Sequence, residues 1–360
     1  MANLLFAGEI GGKCGSRKLP WAIGEFALVF FARIGDERAL PSEIPIMHPM
    51  QFSSGDVVTD RRADYAKMLD EAGDHAAAAE LMEQALELAP GWAAGWLQLA
   101  GYREKAGDDG GAAVALRRVL ELDPDDIFAA SLKLARLGAA EVPDQPPSRY
   151  VEALFDDYAD RFETSLVEKL DYTVPPKLSA LLRRVAGKRR RFRHAVDLGC
   201  GTGLLGVEIR DLAEVLEGFD LSAGMLAKAE EKAIYDRLGQ ADLSLEAEAS
   251  GLFAGGIPPR RADLVCAADV FMYLGSLESV LRLVDRLAAP GAMLAFSVED
   301  GGEGDGFDLA ESLRYVHSEA YVRGILARFG FHVLETEKTT IRMDGGKPVF
   351  GILFVAARPA

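Results

Sequence analysis

The residues with the most evident chemistry lie in the run from Asp197 to Gly203. Asp197 and Leu198 end an apolar stretch, and glycines follow at positions 199, 201 and 203. Because glycine lacks a side chain and readily adopts left-handed backbone, alternate glycines let a loop approach a ligand closely. Asp197, at the end of the predicted strand, is suited to hold an ammonium group, directly or through water. The run predicts a buried strand, a ligand-binding loop and the start of a helix.

Three further aspartates follow predicted strands. Asp220 lies 21 residues beyond Gly199, the spacing at which a carboxylate accepts hydrogen bonds from ribose hydroxyls. Asp242 follows a weak third strand around residues 235–238 and is placed to accept from an adenine amino group. Asp269 follows the next strand. In a doubly wound sheet the carboxyl ends of the strands meet at one edge, so these aspartates and the glycine loop predict one crevice.

Strands and helices alternate regularly in the second half of the chain. Such alternation predicts an α/β, Rossmann-like fold with a doubly wound, mostly parallel sheet. The last two strands are joined only by residues 342–348, whose Asp-Gly-Gly predicts a terminal antiparallel hairpin. The predicted strands are 195–198, 215–219, 262–267, 292–298, 332–337 and 349–356, and the predicted helices are 204–212, 223–233, 277–287 and 319–329.

NAD is one ligand that a crevice of this kind can bind. A dinucleotide fingerprint needs its third glycine at the position of Leu204, but that glycine comes one residue earlier, at Gly203. NAD also lacks the ammonium group for which Asp197 is suited, and folds for hydride transfer do not predict the terminal hairpin. The residues therefore favour S-adenosylmethionine over NAD.

From about Phe155 to the C-terminus, the sequence resembles the class I S-adenosylmethionine-dependent methyltransferases, with residues 196–203 as the most specific motif. The whole chain is similar to bacterial fusions of tetratricopeptide repeats with a methyltransferase, and its catalytic half to the Williams–Beuren-region type. The resemblance implies S-adenosyl-L-methionine as the methyl donor and S-adenosyl-L-homocysteine as the product.

The resemblance also implies roles for individual residues. Gly199 and Gly201 flank the methionine part of the cofactor, Asp220 binds its ribose and Asp242 its adenine. Asp269 and the four residues after it close the methyl-donor site. The predicted cofactor-binding residues are Asp197, Gly199, Cys200, Gly201, Thr202, Gly203, Asp220, Leu221, Met225, Asp242, Leu243, Asp269 and Tyr158.

Methyl transfer from a sulfonium depends chiefly on aligning the nucleophile with the methyl group, an effect of up to several kcal/mol. A general base is needed only if the acceptor must lose a proton. His317 is the candidate base, because Ser318 and Glu319 begin a helix and place His317 on the loop at its mouth. The alternative is a contact at the helix start. Tyr273 is the second candidate catalytic residue, and no metal site is predicted.

The first half of the chain contains an internal repeat. Ala72-Gly73-Asp74 recurs as Ala106-Gly107-Asp108, and residues 86–90 recur as 120–124, so the period is 34 residues. This period is that of the tetratricopeptide helix-turn-helix. We predict a small all-α module over residues 55–141, with a closing helix at 127–137. Docking of a partner or substrate and dimerisation or packing are equally open as its role.

The segments around this module differ in composition. Residues 1–50 are predicted to be a poorly ordered or non-native extension, because their apolar run 19–32 is interrupted and too short to span a bilayer. The proline-rich linker 143–148 leads into a methyltransferase domain over residues 148–360. There Phe155, Tyr158 and Phe162 recur at helical spacing and predict a core stripe or a lid over the ligand. The basic run 188–193 predicts a solvated loop.

The overall composition limits the partners. A formal net charge of −16 argues against a protein that works on nucleic acid or an anionic membrane. Three cysteines without CxxC spacing suggest a reducing cytoplasm, and the scarcity of Asn suggests a bacterial source. Residues 269–273 lack the prolines of enzymes that methylate bases. We therefore expect transfer to an O, N or C atom of a small molecule. A protein methyltransferase recruited through the repeats, or a non-catalytic S-adenosylmethionine-binding scaffold, is the alternative.

Overall fold

The computed structural model describes residues 53–159, 162, 172–187, 191–344 and 346–360. The predictions for residues 1–50, and for 188–190 of the basic run, lie outside this range. All described residues belong to one compact unit. The predicted boundaries between extension, helical module and methyltransferase domain therefore stay predictions.

Helices alone make up the first part of the described chain. Helix α1 (Val57–Glu71) packs against α2 (His75–Leu88), and α3 (Ala93–Lys105) packs against α4 (Asp109–Leu122). The closing helix α5 (Ala130–Arg136) begins three residues later than predicted. Among the described residues, no helix is both long enough and apolar enough to cross a membrane.

The repeated Ala-Gly-Asp sequence explains the two tight turns in this helical part. Gly73 and Gly107 have φ of +87° and +81°, a left-handed backbone that favours glycine. Asp74 and Asp108 then cap α2 and α4, because each carboxylate accepts a hydrogen bond from the amide three residues on, at 3.1 and 2.9 Å. Both helix pairs thus have the same local design, while their assignment as tetratricopeptide repeats stays a prediction.

Strands and helices alternate in the second part, and short 3₁₀ turns at Arg210–Leu212, Ala254–Gly256 and Phe271–Tyr273 interrupt the alternation. Two helices come first, and a sheet with further helices follows. In chain order the elements are α6 (Ser148–Tyr158), α7 (Val174–Ala186), β1 (Phe192–Leu198), α8 (Leu204–Ile209), β2 (Ala213–Asp220), α9 (Ala223–Glu231), β3 (Arg237–Gln240), β4 (Ala262–Ala267), α10 (Glu278–Leu287), β5 (Ala288–Asp300), β6 (Phe307–Leu309), β7 (Tyr315–His317), α11 (Glu319–Arg328), β8 (His332–Asp344) and β9 (Lys347–Ala357).

The main sheet has the strand order β3-β2-β1-β4-β5, and all of these strands are parallel. On the other edge of β5 lies β9, antiparallel to it, and β8 pairs antiparallel with β9. The mostly parallel sheet with a terminal antiparallel hairpin is confirmed. The chain moves outward from β1 to β3 and then returns to place β4 on the other side of β1. Ligands bind at such a switch point, beyond the carboxyl ends of the strands.

The sheet is buried on both faces because its strand residues alternate between two apolar clusters. Val196, Val265 and Phe296 belong to one cluster. Ala195 and Cys266, on neighbouring positions, belong to the other. The continuous apolar strands in the sequence therefore reflect a sheet with helices on both sides.

Several predicted boundaries need correction. The helix predicted to reach Leu212 ends at Ile209, since the next three residues wind into a 3₁₀ turn. The hairpin turn predicted over 342–348 is shorter, because β8 continues to Asp344 and β9 begins at Lys347. The strands β6 and β7 are absent from the prediction, and His317 ends β7 instead of lying on a loop. Strand β7 forms because it pairs with the extended end of β5 at Glu299 and Asp300.

Candidate functional site

The glycine loop follows β1 at the switch point, and its backbone requires glycine. Gly199, Gly201 and Gly203 have φ of +62°, +53° and +92°. A Cβ on Gly199 would lie 2.4 Å from a methyl carbon of Val270, which follows β4. Left-handed backbone and this close approach both exclude larger residues. The loop therefore keeps its backbone open towards the crevice.

Beneath the loop, Tyr235 packs against a fourth glycine and bonds to Asp197. A Cβ on Gly206 would lie 2.3 Å from the Tyr235 hydroxyl oxygen, so only glycine leaves room for the ring. The hydroxyl donates to Asp197 Oδ2 at 2.7 Å. The sequence analysis missed Tyr235, because nothing local marks a partner 38 residues from Asp197. The sequence did offer one signal for it, the additional glycine Gly206, four positions after Thr202.

Asp197 keeps one acceptor atom without a partner. Its Oδ1 is buried and has no hydrogen bond within the described part of the chain. Burial raises the pKa of Asp197 to about 7, and the bond from Tyr235 opposes this rise. An orphaned carboxylate oxygen beside the glycine loop fits the ammonium group that the sequence analysis assigned to this position.

Asp220 contacts the glycine loop directly. Its Oδ2 accepts from the Gly201 amide at 2.8 Å, and its Oδ1 accepts from the Ser222 amide at 2.9 Å. Burial raises the pKa of Asp220 to about 6, while these amide bonds oppose the rise. Each carboxylate oxygen has a second lone pair, so two further donors can be accepted. This geometry fits a ribose with two hydroxyls.

Asp242 is held by the residue two positions further on. Its Oδ1 accepts from the amide and hydroxyl of Ser244, at 2.8 and 2.6 Å. Its Oδ2 forms no hydrogen bond with any described residue and is left for an exocyclic amino group. Leu243 is buried in the apolar cluster beside it. Asp242 and Leu243 thus combine an acceptor with an apolar surface, as an adenine requires.

The remaining predicted cofactor residues surround this crevice. Thr202 and Cys200 are buried in the loop, and burial raises the pKa of the Cys200 thiol well above its ordinary range. This pKa argues against a reactive thiol at Cys200, which leaves it the role of a small residue in the loop. Met225 is buried in α9, and its amide donates to Ser222 Oγ at 3.0 Å. The Leu221 carbonyl accepts from Gln240 Nε2 at 2.8 Å.

Asp269 lies after β4 in a strained conformation and is paired with Arg342. Its φ is +59°, unusual for a residue with a side chain. Its amide donates to Ser297 Oγ at 2.8 Å, and its Oδ2 accepts from Arg342 Nη1 at 2.8 Å. Burial raises the pKa of Asp269, and Arg342 opposes the rise. The carboxylate is therefore part of an ion pair. We call the segment after β4, Asp269 to Tyr273, the acceptor side of the crevice, because the resemblance assigned it to the methyl-donor site.

Arg342 belongs to a buried ion-pair cluster that the sequence analysis missed. Glu299 accepts from Arg342 and, at 2.7 Å, from Arg314 Nε, whose Nη2 donates to Asp344 at 2.9 Å. A register shift between β8 and β9 turns Arg342 inward next to the buried Ile341. The prediction placed Arg342 in a turn, and no local pattern reveals such a bulge.

Aromatic side chains cover the acceptor side. The Phe155 ring of α6 lies 5.1 Å from the Tyr273 ring, and Tyr158 lies 5.6 Å from Phe162. Burial raises the pKa of Tyr273 and, strongly, that of Tyr172. Both Asp197 and Asp269 act electrostatically on Tyr172, which sequence reasoning missed. The Tyr172 ring packs against the apolar cluster that contains Cys266.

The structure does not place His317 where the prediction put it. The side chain is fully buried, and its Nε2 lies 2.9 Å from the Gly275 carbonyl oxygen. Burial lowers the pKa of His317 to about 4, and its ring stacks with Tyr321 at 5.9 Å. A carbonyl partner requires the proton on Nε2, which leaves Nδ1 buried and without a partner among the described residues. The loop position on which the proposed base depended is therefore wrong.

The described residues contain no group of three or more His, Cys, Asp or Glu arranged to hold a metal ion. The chemistry that the crevice can hold is set by the orphaned Asp197 oxygen, the open glycine backbone and the acceptors Asp220 and Asp242. These groups fit a ligand with an ammonium, two vicinal hydroxyls and an aromatic amine.

The segment that contains the glycine loop is similar to known proteins. Residues 196–294 match the family model of a methyltransferase domain. The malonyl-[acyl-carrier protein] O-methyltransferase of Enterobacter lignolyticus is 33% identical over 118 residues, which cover 33% of this chain and 43% of that protein. The ubiquinone biosynthesis O-methyltransferase of Methylococcus capsulatus is 32% identical over 105 residues, which cover 29% of this chain and 43% of that protein.

A solved structure gives a weaker likeness. An S-adenosylmethionine-dependent methyltransferase from Mesorhizobium loti is 22% identical, with a TM-score of 0.38, and the match covers 50% of this chain and 96% of that one. The chain spans 43% of the length of each of the two curated relatives. The family model covers the segment from β1 into β5.

Proposed function

We infer that the protein, whose residues 196–294 are a methyltransferase domain that uses S-adenosylmethionine, transfers a methyl group to a small molecule. The orphaned Asp197 Oδ1 beside the glycine loop carries this proposal, because it supplies the acceptor that the cofactor's ammonium needs. Both relatives are O-methyltransferases by name, which favours an oxygen nucleophile, and one name gives a malonyl group on an acyl-carrier protein as the acceptor. The acceptor atom, O, N or C, stays open.

In the proposed mechanism, some residues of the crevice bind the cofactor and others align the acceptor. Asp197 holds the ammonium group, Asp220 the ribose hydroxyls and Asp242 the adenine amine. The bound cofactor supplies a sulfonium that is already activated for methyl transfer. The chain's own contribution is to hold the acceptor in line and to exclude water, for which Tyr172 and Tyr273 are placed.

Asp269 is proposed to contact the acceptor. Its side chain is 12% exposed, and Arg342 occupies only its Oδ2. The Oδ1 atom has one long contact, 3.4 Å to Ser297 Oγ. This oxygen is suited to accept a hydrogen bond from a hydroxyl or amine and so orient it. We do not retain His317 as a base, because its ring is buried against Gly275.

A second candidate function assigns the helical part a recruiting role. A cavity of about 520 Å³ lies between the connection of α2 to α3, the end of α4 and the segment before α1, lined by the buried Trp92 and by Leu88, Ile127 and Phe128. This cavity favours a protein methyltransferase that recruits its substrate through the helices over residues 55–141. We keep this candidate, and a non-catalytic scaffold, as alternatives to small-molecule transfer. The extension at residues 1–50, the domain at 148–360, a bacterial source and a cytoplasmic location stay predictions.

Calorimetric titration and a turnover screen separate these candidates. We expect S-adenosylmethionine and S-adenosylhomocysteine to bind and NAD not to bind. Release of S-adenosylhomocysteine is then measured with the small-molecule fraction and, separately, with the protein fraction of a bacterial extract. Turnover with the small-molecule fraction supports the main proposal. Turnover with the protein fraction alone supports recruitment through the helices, and binding without turnover on either fraction supports the scaffold.

A further inference from the structure

Helix α6 carries a polar stripe towards the proposed adenosine site. Ser148, Glu152 and Asp156 are four residues apart, so they share one face of the helix. All three contact segments at the ends of β2 and β3. The contacts are Ser148 Oγ to Ser244 Oγ at 3.1 Å, Glu152 Oε1 to Gln240 Nε2 at 3.2 Å, and Asp156 Oδ1 to Ser222 Oγ at 2.5 Å and to the Gly224 amide at 3.1 Å.

One of these contacts leads to the proposed ribose carboxylate through a single serine. The fully buried Ser222 donates its hydroxyl to Asp156 and its amide to Asp220. Asp220 in turn accepts from the Gly201 amide of the glycine loop. Asp156, Ser222, Asp220 and Gly201 therefore form a continuous chain of hydrogen bonds from α6 to the loop.

The other end of α6 reaches the proposed adenine carboxylate in the same way. Ser148 contacts Ser244, and both the amide and the hydroxyl of Ser244 bond to Asp242. Both adenosine-binding carboxylates thus lie one serine away from α6. A displacement of either carboxylate when the adenosine binds must act on this helix.

The adjoining face of α6 points to the acceptor side. Val151, Phe155 and Ala159 are again four residues apart, and the Phe155 ring contacts Tyr273 at 5.1 Å. A Cβ on Gly224 would lie 3.2 Å from Ala159 Cβ, so α6 approaches the start of α9 closely. One short helix therefore contacts the adenosine side with polar groups and the acceptor side with an aromatic ring.

We propose that Asp156 holds α6 over the bound adenosine and acts as a positioning residue for Ser222 and Asp220. Held in this place, α6 completes the acceptor side with the Phe155 ring. The inference rests on the proposed function, because it requires the cofactor at Asp220 and Asp242. Ribose hydroxyls fix the Asp220 carboxylate, which orders Ser222 and strengthens its bond to Asp156. The acceptor side is then complete only after the cofactor has bound.

Asp156 is the decisive residue of the stripe for two reasons. Its Oδ1 accepts both hydrogen bonds, and it lies at the N-terminus of the nine-residue helix α9, where the helix dipole favours a carboxylate. Asp156 is itself exposed and belongs to neither apolar cluster. Its substitution therefore removes the contacts that hold α6 in place and leaves the packed core unchanged.

Titration of the full chain with S-adenosylhomocysteine tests the proposal. Asp156→Ala removes both hydrogen bonds that preorganise Ser222 beside Asp220, and we expect this loss of preorganisation to weaken binding by about five- to thirtyfold. Asp156→Asn keeps the accepting oxygen, so we expect binding within about threefold of the wild type. Asp305→Asn, in an exposed loop, makes the same change of charge as Asp156→Asn and is the control, with unchanged affinity.

Hydrogen exchange supplies a second readout. In the wild type, S-adenosylhomocysteine is expected to slow amide exchange in residues 148–158 and 271–277 as well as in the glycine loop. In Asp156→Ala the slowing of residues 148–158 and 271–277 is expected to disappear, while that of the loop persists at saturating ligand. A purely structural role for Asp156 predicts instead faster exchange in the ligand-free protein with no change in the response to ligand.

The possible failures are distinguishable. If the wild type binds no S-adenosylhomocysteine, the proposed function itself fails, and the inference fails with it. If the wild type binds while Asp156→Ala binds equally well, or if α6 shows no ligand-dependent protection, only the role of α6 is overturned. Rescue by Asp156→Asn together with loss in Asp156→Ala supports the positioning role.

Discussion

Asp197 is a buried carboxylate whose proposed role in ligand binding comes at the expense of stability. It is 1% exposed, and within the described residues its carboxylate accepts one hydrogen bond, from Tyr235. The raised pKa of Asp197 measures the penalty that burial imposes on its charged form. A ligand ammonium removes this penalty by pairing with the free oxygen. Binding and stability are therefore expected to respond in opposite directions when the charge is removed.

We predict that Asp197→Asn weakens S-adenosylhomocysteine binding by at least about tenfold at pH 8, since a hydrogen bond to a charged partner is lost. The same variant should unfold with greater difficulty at pH 8. The pKa rises from 3.8 in the unfolded chain to about 7, so the stabilising proton on Asp197 is lost as pH rises through this window. Asparagine does not titrate, so the variant does not lose stability as the pH rises through this window.

Urea unfolding of the ligand-free protein at pH 5 and pH 8 measures this difference. The advantage of Asp197→Asn is expected to be larger at pH 8 than at pH 5, by on the order of 3 kcal/mol. Equal unfolding free energies of the two proteins at pH 8, or equal affinities for S-adenosylhomocysteine, would contradict the proposed role of the Asp197 charge.

We predict that Gly206→Ala destabilises the protein by about 1–3 kcal/mol and weakens S-adenosylhomocysteine binding. The new methyl group would overlap the Tyr235 hydroxyl, which must move away from Asp197. Gly324→Ala in α11 is the matched control, because its Cβ would have no neighbour within 4 Å. The control should be neutral or slightly stabilising. Thermal unfolding and calorimetry of both variants provide the measurement.

Single residues of the site were predictable where their local pattern carries the chemistry. Asp197 and Gly199 follow from a strand end and a left-handed turn, which are local properties. Tyr235 depends on a contact between distant segments. His317 was misplaced because the strand it ends forms by pairing with β6 and with the far end of β5. Residue types reveal local demands, but tertiary contacts decide which side chains are accessible.

The terminal hairpin places the buried charge of Arg342 beside Asp269, which follows β4. The register shift turns Arg342 into the sheet, where it meets Glu299 and Asp269. Breaking such a cluster by removing one partner leaves uncompensated buried charge. The hairpin was predictable from its turn sequence, whereas the bulge that directs Arg342 inward has no signal in residue periodicity.

We predict that Arg342→Met lowers the free energy of unfolding by about 3–5 kcal/mol, because Glu299 and Asp269 lose their shared partner. Adding Glu299→Gln should restore part of this loss, since one buried carboxylate is then neutral. Arg184→Met is the control: its ion pairs with Glu335 and Glu337 are exposed, so a change within about 0.5 kcal/mol is expected. Urea unfolding at pH 7 measures all three, and equal losses for Arg342→Met and Arg184→Met would contradict the cluster's importance.

At the scale of the whole molecule, the helical part and the sheet are joined by specific contacts. The Tyr315 hydroxyl of β7 donates to the Pro143 carbonyl of the linker at 2.9 Å, and Gln145 bonds to Ser276. Leu132 of α5 is buried in one cluster with Tyr315. The alternation of elements and the 34-residue repeat were visible in the sequence. Their joining was not, because it depends on pairs up to 172 residues apart.

We predict that the wild type unfolds in a single calorimetric transition and that Leu132→Ala lowers its midpoint and separates the helical part. Loss of a fully buried leucine costs about 2–5 kcal/mol, here at the contact between the two parts. Leu88→Ala, on a leucine that is 53% exposed, is the control and should leave the transition unchanged. A Leu132→Ala trace that overlays the wild type would show that this contact is energetically unimportant.

The fate of the methyl group tests the proposed function most directly. The protein is incubated with S-adenosylmethionine labelled in its methyl group and with the small-molecule fraction of a bacterial extract, and Asp197→Asn serves as the control. We predict that the label appears in a small molecule in equal amount to the S-adenosylhomocysteine formed, and much more slowly with the variant. Label that stays in S-adenosylmethionine, or that enters only protein, would contradict methyl transfer to a small-molecule acceptor.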